Sequence, residues 1–242
     1  MTKFLPLALL SSLLLAACTP NPPIVEPAPE PIPAAVTSVS GTVHLGQQSR
    51  AGTPTNGHTD ADAIGKTLIF SIGNPTGTEQ KATTTVGSDL KYTITLPTPT
   101  DAAMTPATVQ DFDDCTTTVK TITPGSSAAY GDFGLQAHAD QVHPLAPILD
   151  TVTATGGVTT SVNVMYFNQD GRADVIGTCP TGDARITAQF DMKITFRKGW
   201  NVYKQVVTTT VNADGTAKGL VVMRNTSDPL DLYAPFQYHA AN

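Results

Sequence analysis

The sequence predicts an all-β fold: an antiparallel β-sandwich, or more than one, with little helix. Three observations carry that expectation. Apolar residues recur at every second position over long stretches, the period of a strand with one buried face. Turn-forming residues separate these stretches. Threonine, β-branched and suited to the exposed side of a pleated sheet, occurs in runs at Thr83–Thr85, Thr116–Thr118 and Thr208–Thr210.

Taken in order, Val39, Val43 and Leu45 alternate with Ser40, Thr42 and His44, with Gly41 falling on the apolar side. Tyr92, Ile94 and Leu96 alternate with Lys91, Thr93 and Thr95 in the same way. Asn168-Gln169-Asp170-Gly171 separates strands at 162–167 and 172–178 and carries a hairpin signal. The clearest strand is Arg185–Arg197, where Ile186, Ala188, Phe190, Met192, Ile194 and Phe196 fill one face. Asn212-Ala213-Asp214-Gly215 then predicts a hairpin between strands near 202–211 and 217–224. These elements make residues 36–242 the body, divisible near 36–100 and 101–242.

Before the body lie two segments that are not fold. Residues 1–17 carry Lys3 and then an apolar run, Phe4 to Ala17, too short for the ~20 residues a membrane-spanning helix needs. The run ends in Leu15-Ala16-Ala17-Cys18. This resembles the lipobox of bacterial lipoproteins. The resemblance implies cleavage after residue 17, acylation of Cys18 and anchorage of the chain in a membrane, with more than one acyl chain holding it stably. Thr19, where that family's inner-membrane proteins favour Asp, implies an outer-membrane or cell-surface destination. Residues 18–35 then hold the lipidated cysteine and seven prolines between Pro20 and Pro33, a polyproline stalk that spaces the body from its anchor.

With Cys18 given to lipid by that resemblance, Cys115 and Cys179 remain, and an exported setting favours their pairing. Two free buried thiols are the alternative.

Val39-Ser40-Gly41-Thr42-Val43, Gly65-Lys66-Thr67-Leu68 and Leu90 through Pro97 are similar to the transthyretin-like, carboxypeptidase-regulatory-like sandwich module over about 60 residues, and the resemblance implies a sandwich of immunoglobulin- or transthyretin-like character. Tyr166 through Cys179 and Lys198-Gly199-Trp200-Asn201 resemble envelope lipoproteins, among them accessory lipoproteins of outer-membrane and surface-layer complexes.

The chain has a formal net charge of −6, and only 14% of its residues are charged, against ~25% in typical soluble domains. No basic patch marks a nucleic-acid partner. No nucleophile elbow, HExxH motif or phosphate-binding glycine loop occurs.

One cluster offers metal chemistry: His138 and His143 flank Asp140, and imidazoles suit copper or zinc. On a β-sandwich this resembles copper-only superoxide dismutases, which imply copper as cofactor. Those enzymes carry an HxH pair, whereas five residues separate these histidines, so one regular strand would turn them to opposite faces. His44, His58 and His239 are the candidates to complete such a site. Asn168, Asp170 and Asp174 are spaced like calcium ligands but also suit a turn, and Asp111, Asp113 and Asp114 form an acidic loop. Trp200 is expected in the core. Tyr233, Phe236 and Tyr238 form either an aromatic contact strip or a final edge strand.

The expectation is therefore a non-enzymatic cell-envelope lipoprotein, a binding or structural subunit of an outer-membrane or surface-layer complex. A copper-dependent, superoxide dismutase-like enzyme is the alternative.

Overall fold

The computed structural model describes residues 34–48, 58–72, 80–107, 115–138, 141–153, 155–180 and 186–234. All belong to one compact unit, Ile32–Asn242. The described strands are β1 (Ser38–Gln48), β2 (Thr67–Ile72), β3 (Gln80–Thr85), β4 (Lys91–Thr95), β5 (Thr105–Pro106), β6 (Thr116–Ile122), β7 (Ser127–Tyr130) and β8 (Asp132–His138). They continue as β9 (Gln141–Leu145), β10 (Ile148–Thr153), β11 (Gly156–Phe167), β12 (Gly171–Pro180), β13 (Ile186–Phe196), β14 (Gly199–Val211), β15 (Ala217–Asn225) and β16 (Leu232–Ala234). The described helical residues are two single 3-10 turns, Asp60–Ala63 and Asp101–Ala103. The all-β, sandwich-like expectation holds.

Two sheets pack face to face. One runs β16-β1-β4 and the other β3-β2-β8-β9. The period-two residues supply the core between them. Val39, Val43 and Leu45 of β1 and Tyr92 and Ile94 of β4 meet Leu68, Phe70 and Ile72 of β2 and Phe133 and Leu135 of β8. In β4 the alternation is complete, with Tyr92 and Ile94 buried and Lys91, Thr93 and Thr95 exposed. Gly41 occupies an inward position of β1 because the chain passes directly over it: a Cβ there would overlap the Leu230 carbonyl. Leu230 donates its N–H to the Ser40 carbonyl at 2.9 Å, and its own carbonyl accepts the buried Tyr92 hydroxyl. That crossing segment leads into β16, which pairs parallel with β1 in the register Val43↔Leu232 and His44↔Tyr233. A further bridge, Ala146↔Tyr233, joins β16 to the end of β9, so β16 links the two sheets instead of forming an outer edge.

The third sheet has nine strands, in the order β5-β7-β11-β14-β15-β13-β12-β6, with β10 added to β11. It cannot be flat. Its first and last long members, β7 and β6, would lie ~28 Å apart at ordinary strand spacing. Yet Ile122 of β6 and Ser127 of β7 are joined by the short turn Thr123-Pro124-Gly125-Ser126, whose full reach is ~18 Å. The sheet therefore rolls up at that end. Phe167 of β11 and Phe196 of β13 record the curl. They are separated by β14 and β15 in the sheet, but their rings stack with centroids 4.0 Å apart. With Met165, Ala173, Ile194, Tyr203 and Met223 they form a second core inside the roll. The other face of β11 and β14 supplies Val162, Val164 and Trp200 to the first core. Trp200 is core, as expected: it packs edge-on against Phe70 and Tyr166 and donates its indole N–H to Pro97 at 2.8 Å.

At the opposite end of the roll, Cys115 and Cys179 form a disulfide. Thr116 of β6 lies in register with Thr178 of β12, which places the two cysteines side by side with a Cα separation of 4.1 Å.

Two features depart from the sequence reading. The Asn168–Gly171 turn is not a hairpin, because β11 pairs with β14, β7 and β10 while β12 pairs with β13 and β6. Its side chains explain why. Asn168 accepts from Ser127 N and Gln169 donates to the Pro124 carbonyl, each at 2.8 Å, while Asp170 accepts from Arg197 and from Lys198 N. The turn is a corner, pinned across the closed end of the roll. The Asn212–Gly215 hairpin forms as expected, with Gly215 at φ 80° and Asp214 accepting from Thr216 N. Two pairings are parallel, β1 with β16 and β13 with β15, within sheets otherwise antiparallel.

Candidate functional site

The sequence-flagged histidines lie at the β8–β9 hairpin and along β1. His138 ends β8 with Gln141 as its register partner, and its side chain lies outside the described residues. His143 is on β9 opposite Leu135 and is exposed. The two thus sit on paired strands of one hairpin, not on a single strand. His143 meets His58, with ring centroids 6.1 Å apart and planes tilted by 59°. His44 is elsewhere: its ring stacks on Tyr233 at 5.0 Å, and its Nδ1 lies 3.8 Å from Asp60. Among the described residues, no three His, Cys, Asp or Glu side chains converge as a metal-holding group. The spaced carboxylates Asp170 and Asp174 are engaged with Arg197 and Arg172, each in an ion pair. Cys18, Asp111, Asp113, Asp114, Phe236, Tyr238 and His239 lie outside the described residues.

A concave site lies beside Tyr233. It is a cleft of about 330 Å³ between the outer face of the rolled sheet and the segment that enters β16. The sheet supplies Leu149 from β10, Thr160 and Val162 from β11, and Lys204 from β14. These share one face because Leu149 pairs with Thr160 and Val162 pairs with Lys204. The opposite wall is Asp228, Pro229, Asp231 and Tyr233. This wall alternates: Leu230 and Leu232 turn inward to the core, and Asp231 and Tyr233 are left to face the cleft.

The wall is fixed at several points. Asp231 accepts the Thr42 amide at 2.9 Å, Asp228 N donates to Thr226 Oγ1 at 3.0 Å, and Leu230 is held at both its N–H and its carbonyl. Asp228 takes the Lys204 ammonium at 2.8 Å, and that hydrogen bond, with the lysine's charge, holds its carboxyl below the usual range. The Tyr233 hydroxyl is pushed up, first by burial and then by the neighbouring Asp231 charge. The tyrosine is therefore neutral across the physiological range and can donate or accept. The cleft has an aliphatic floor, one aromatic ring and a small set of polar groups, the composition of a small-ligand site.

The sequence left Tyr233 between an aromatic contact strip and a final edge strand, and the structure puts it in the strand β16; Lys204, Asp228 and Asp231 were passed over. The signal was the period-two stretch Leu230-Asp231-Leu232-Tyr233, in which two apolar residues alternate with an acid and an aromatic on the other side.

No protein-family model matches the chain, and neither a curated protein nor a solved structure matches it.

Proposed function

We propose that the protein is a non-enzymatic lipoprotein of the cell envelope, held to a membrane by acyl chains on Cys18 and serving as a binding or structural subunit of an outer-membrane or surface-layer complex. The observation that carries the reading is the order of segments: a basic residue, an apolar run ending in Leu15-Ala16-Ala17-Cys18, seven prolines, then a single compact β-rich unit. The Cys115–Cys179 disulfide supports it, because such bonds persist in oxidising compartments outside the cytosol. The concave site has the groups of a binding surface, with no nucleophile–base pair among its described lining residues.

The test is expression of the full chain in a bacterial host, followed by membrane fractionation and mass spectrometry of the N-terminal peptide. The expected peptide begins at Cys18 and carries acyl mass. Cys18→Ser is expected to abolish both the acylation and the processing that depends on it. A mature chain that starts elsewhere without lipid overturns the reading.

A further inference from the structure

We propose that the cleft between β14 and the Asp228–Tyr233 wall is a binding site for an alkylammonium group, an ammonium carried on a short aliphatic stem. The inference goes beyond the envelope reading and does not require that Cys18 be acylated.

Three properties select this ligand class. The first is size: about 330 Å³ is at the small end of ligand cavities, ~300–1,000 Å³, and suits one small molecule or one long side chain. The second is charge. The cleft contains two carboxylates, Asp228 and Asp231, against one ammonium, Lys204. Lys204 is committed to Asp228 at 2.8 Å. Asp231 uses Oδ1 for the Thr42 amide, and its second oxygen has no hydrogen-bond partner among the described residues. A carboxylate accepts several hydrogen bonds, so Asp231 is left with acceptor capacity and charge facing a concavity with a deficit of one positive charge. An incoming ammonium supplies three donors and that charge, giving a charge-assisted bond of the stronger kind. A neutral polyol would leave the charge uncompensated, and an anion would be repelled. The third is the surface beside the carboxylate. Leu149, Val162 and Pro229 offer aliphatic contact to a methylene stem, and Tyr233, a neutral phenol lining the same cleft, has an oxygen able to accept from the ammonium. Tyr233 is held by its stack on His44, and the wall is tied to β1, so little ordering entropy opposes binding.

The ammonium could belong to a free diamine or to a lysine side chain of a polypeptide, and the experiment separates them. Full-length protein in detergent is titrated calorimetrically with cadaverine and, separately, with a Gly-Lys-Gly peptide blocked at both ends, using maltose as the neutral control. One saturable site for either amine is expected, with none for maltose. Binding by cadaverine alone assigns a free diamine, and binding by the peptide assigns a lysine-bearing partner. Asp231→Asn retains an acceptor for the Thr42 amide but removes the charge, and it should weaken binding roughly tenfold. Lys204→Met removes the competing cation and should strengthen binding several-fold, an effect opposite in sign that general damage to the fold cannot produce. Asp228→Asn, which leaves Lys204 unneutralised, should weaken it. Neither amine binding to the wild type or to Lys204→Met overturns the proposal, as does an affinity unchanged in Asp231→Asn or a saturable site for maltose alone.

Discussion

Strand β14 begins in a core and ends in solvent. At its start, Trp200, Asn201 and Tyr203 are buried, the tryptophan against the sandwich and the tyrosine inside the roll. At its end, Thr208, Thr210 and Val211 are exposed. Its neighbours repeat the gradient. Phe167 and Met223 are buried at the closed end of β11 and β15, while Val158 and Leu220 are 40% and 42% exposed at the other. β-branched and aromatic residues, which suit a strand, occur at both ends, Trp200, Val202 and Tyr203 at one and Val206 through Val211 at the other. What differs is whether a second layer is present. Periodicity states which face of a strand is apolar; it does not state how far along the strand a partner layer extends. At the closed end, curvature brings the sheet against itself. At the open end its place is taken by short side chains and a covalent bond, since the Cys115–Cys179 disulfide joins β6 to β12 there.

The sharpest way to break this comparison is to truncate one side chain at each end. Phe196 is fully buried and stacked on Phe167. Phe196→Ala should cost about 3–5 kcal/mol, the transfer of the ring plus the cavity it leaves. Leu220→Ala, at a residue 42% exposed, should change stability by less than about 0.5 kcal/mol. Equilibrium denaturation of both variants measures the two values. Comparable losses would mean that the open end is covered in solution.

The second effect is the disulfide. A bond across a sequence separation of 64 residues stabilises by roughly 4 kcal/mol through the restricted unfolded chain. The location of the loss is the more informative quantity. On reduction, hydrogen exchange should accelerate first in β6 and the adjoining part of β12, while amides of β11 and β14 near Phe167 and Tyr203 stay protected. Uniform acceleration would show that both ends open as one unit.

These two ends also account for what the sequence disclosed. Local patterns were legible: the alternation in β1, β4 and β13, the core position of Trp200, the Asn212–Gly215 hairpin and the pairing of Cys115 with Cys179. Long-range choices were not. The Asn168–Gly171 segment has the chemistry of a hairpin, and only its bonds to Ser127, Pro124 and Arg197, distant in sequence, make it a corner. The parallel pairs β1–β16 and β13–β15 leave no local signature, because a parallel partner arrives by a crossover. The cleft was illegible for the same reason. Lys204 and Asp231 are ordinary surface residues until the crossing segment lays one wall beside the sheet.

The smallest expected effect concerns acid. At the closed end, Asp170 accepts from the Lys198 amide and from Arg197, and these bonds hold its carboxyl below the usual range. At the open end, Asp214 is lowered as well, by the Thr216 hydroxyl and then the Thr216 amide, but those partners lie within its own hairpin. A carboxyl lowered in the folded state contributes stability above its unfolded value, near pH ~3.9, and loses that contribution as pH falls through the lower folded value. Protonation below about pH 4 therefore removes the contribution of each group to whatever unfolding breaks its hydrogen bonds, and neither contribution varies with pH near neutrality. Their reach differs. Asp170 joins the corner after β11 to the turn between β13 and β14, so its contribution is tied to global unfolding. The Asp214 bonds reach only Thr216, two residues on, so the same turn can form in the unfolded chain and its contribution largely cancels from global unfolding. Asp170→Asn should flatten the loss of stability on acidification, measured by thermal unfolding from neutral pH to pH 3, because the titrating charge is gone. Asp214→Asn should leave that curve unchanged and instead raise local exchange at residues 212–216. An Asp214 variant that alters the global acid response as much as the Asp170 variant would show that the hairpin and the closed end unfold together.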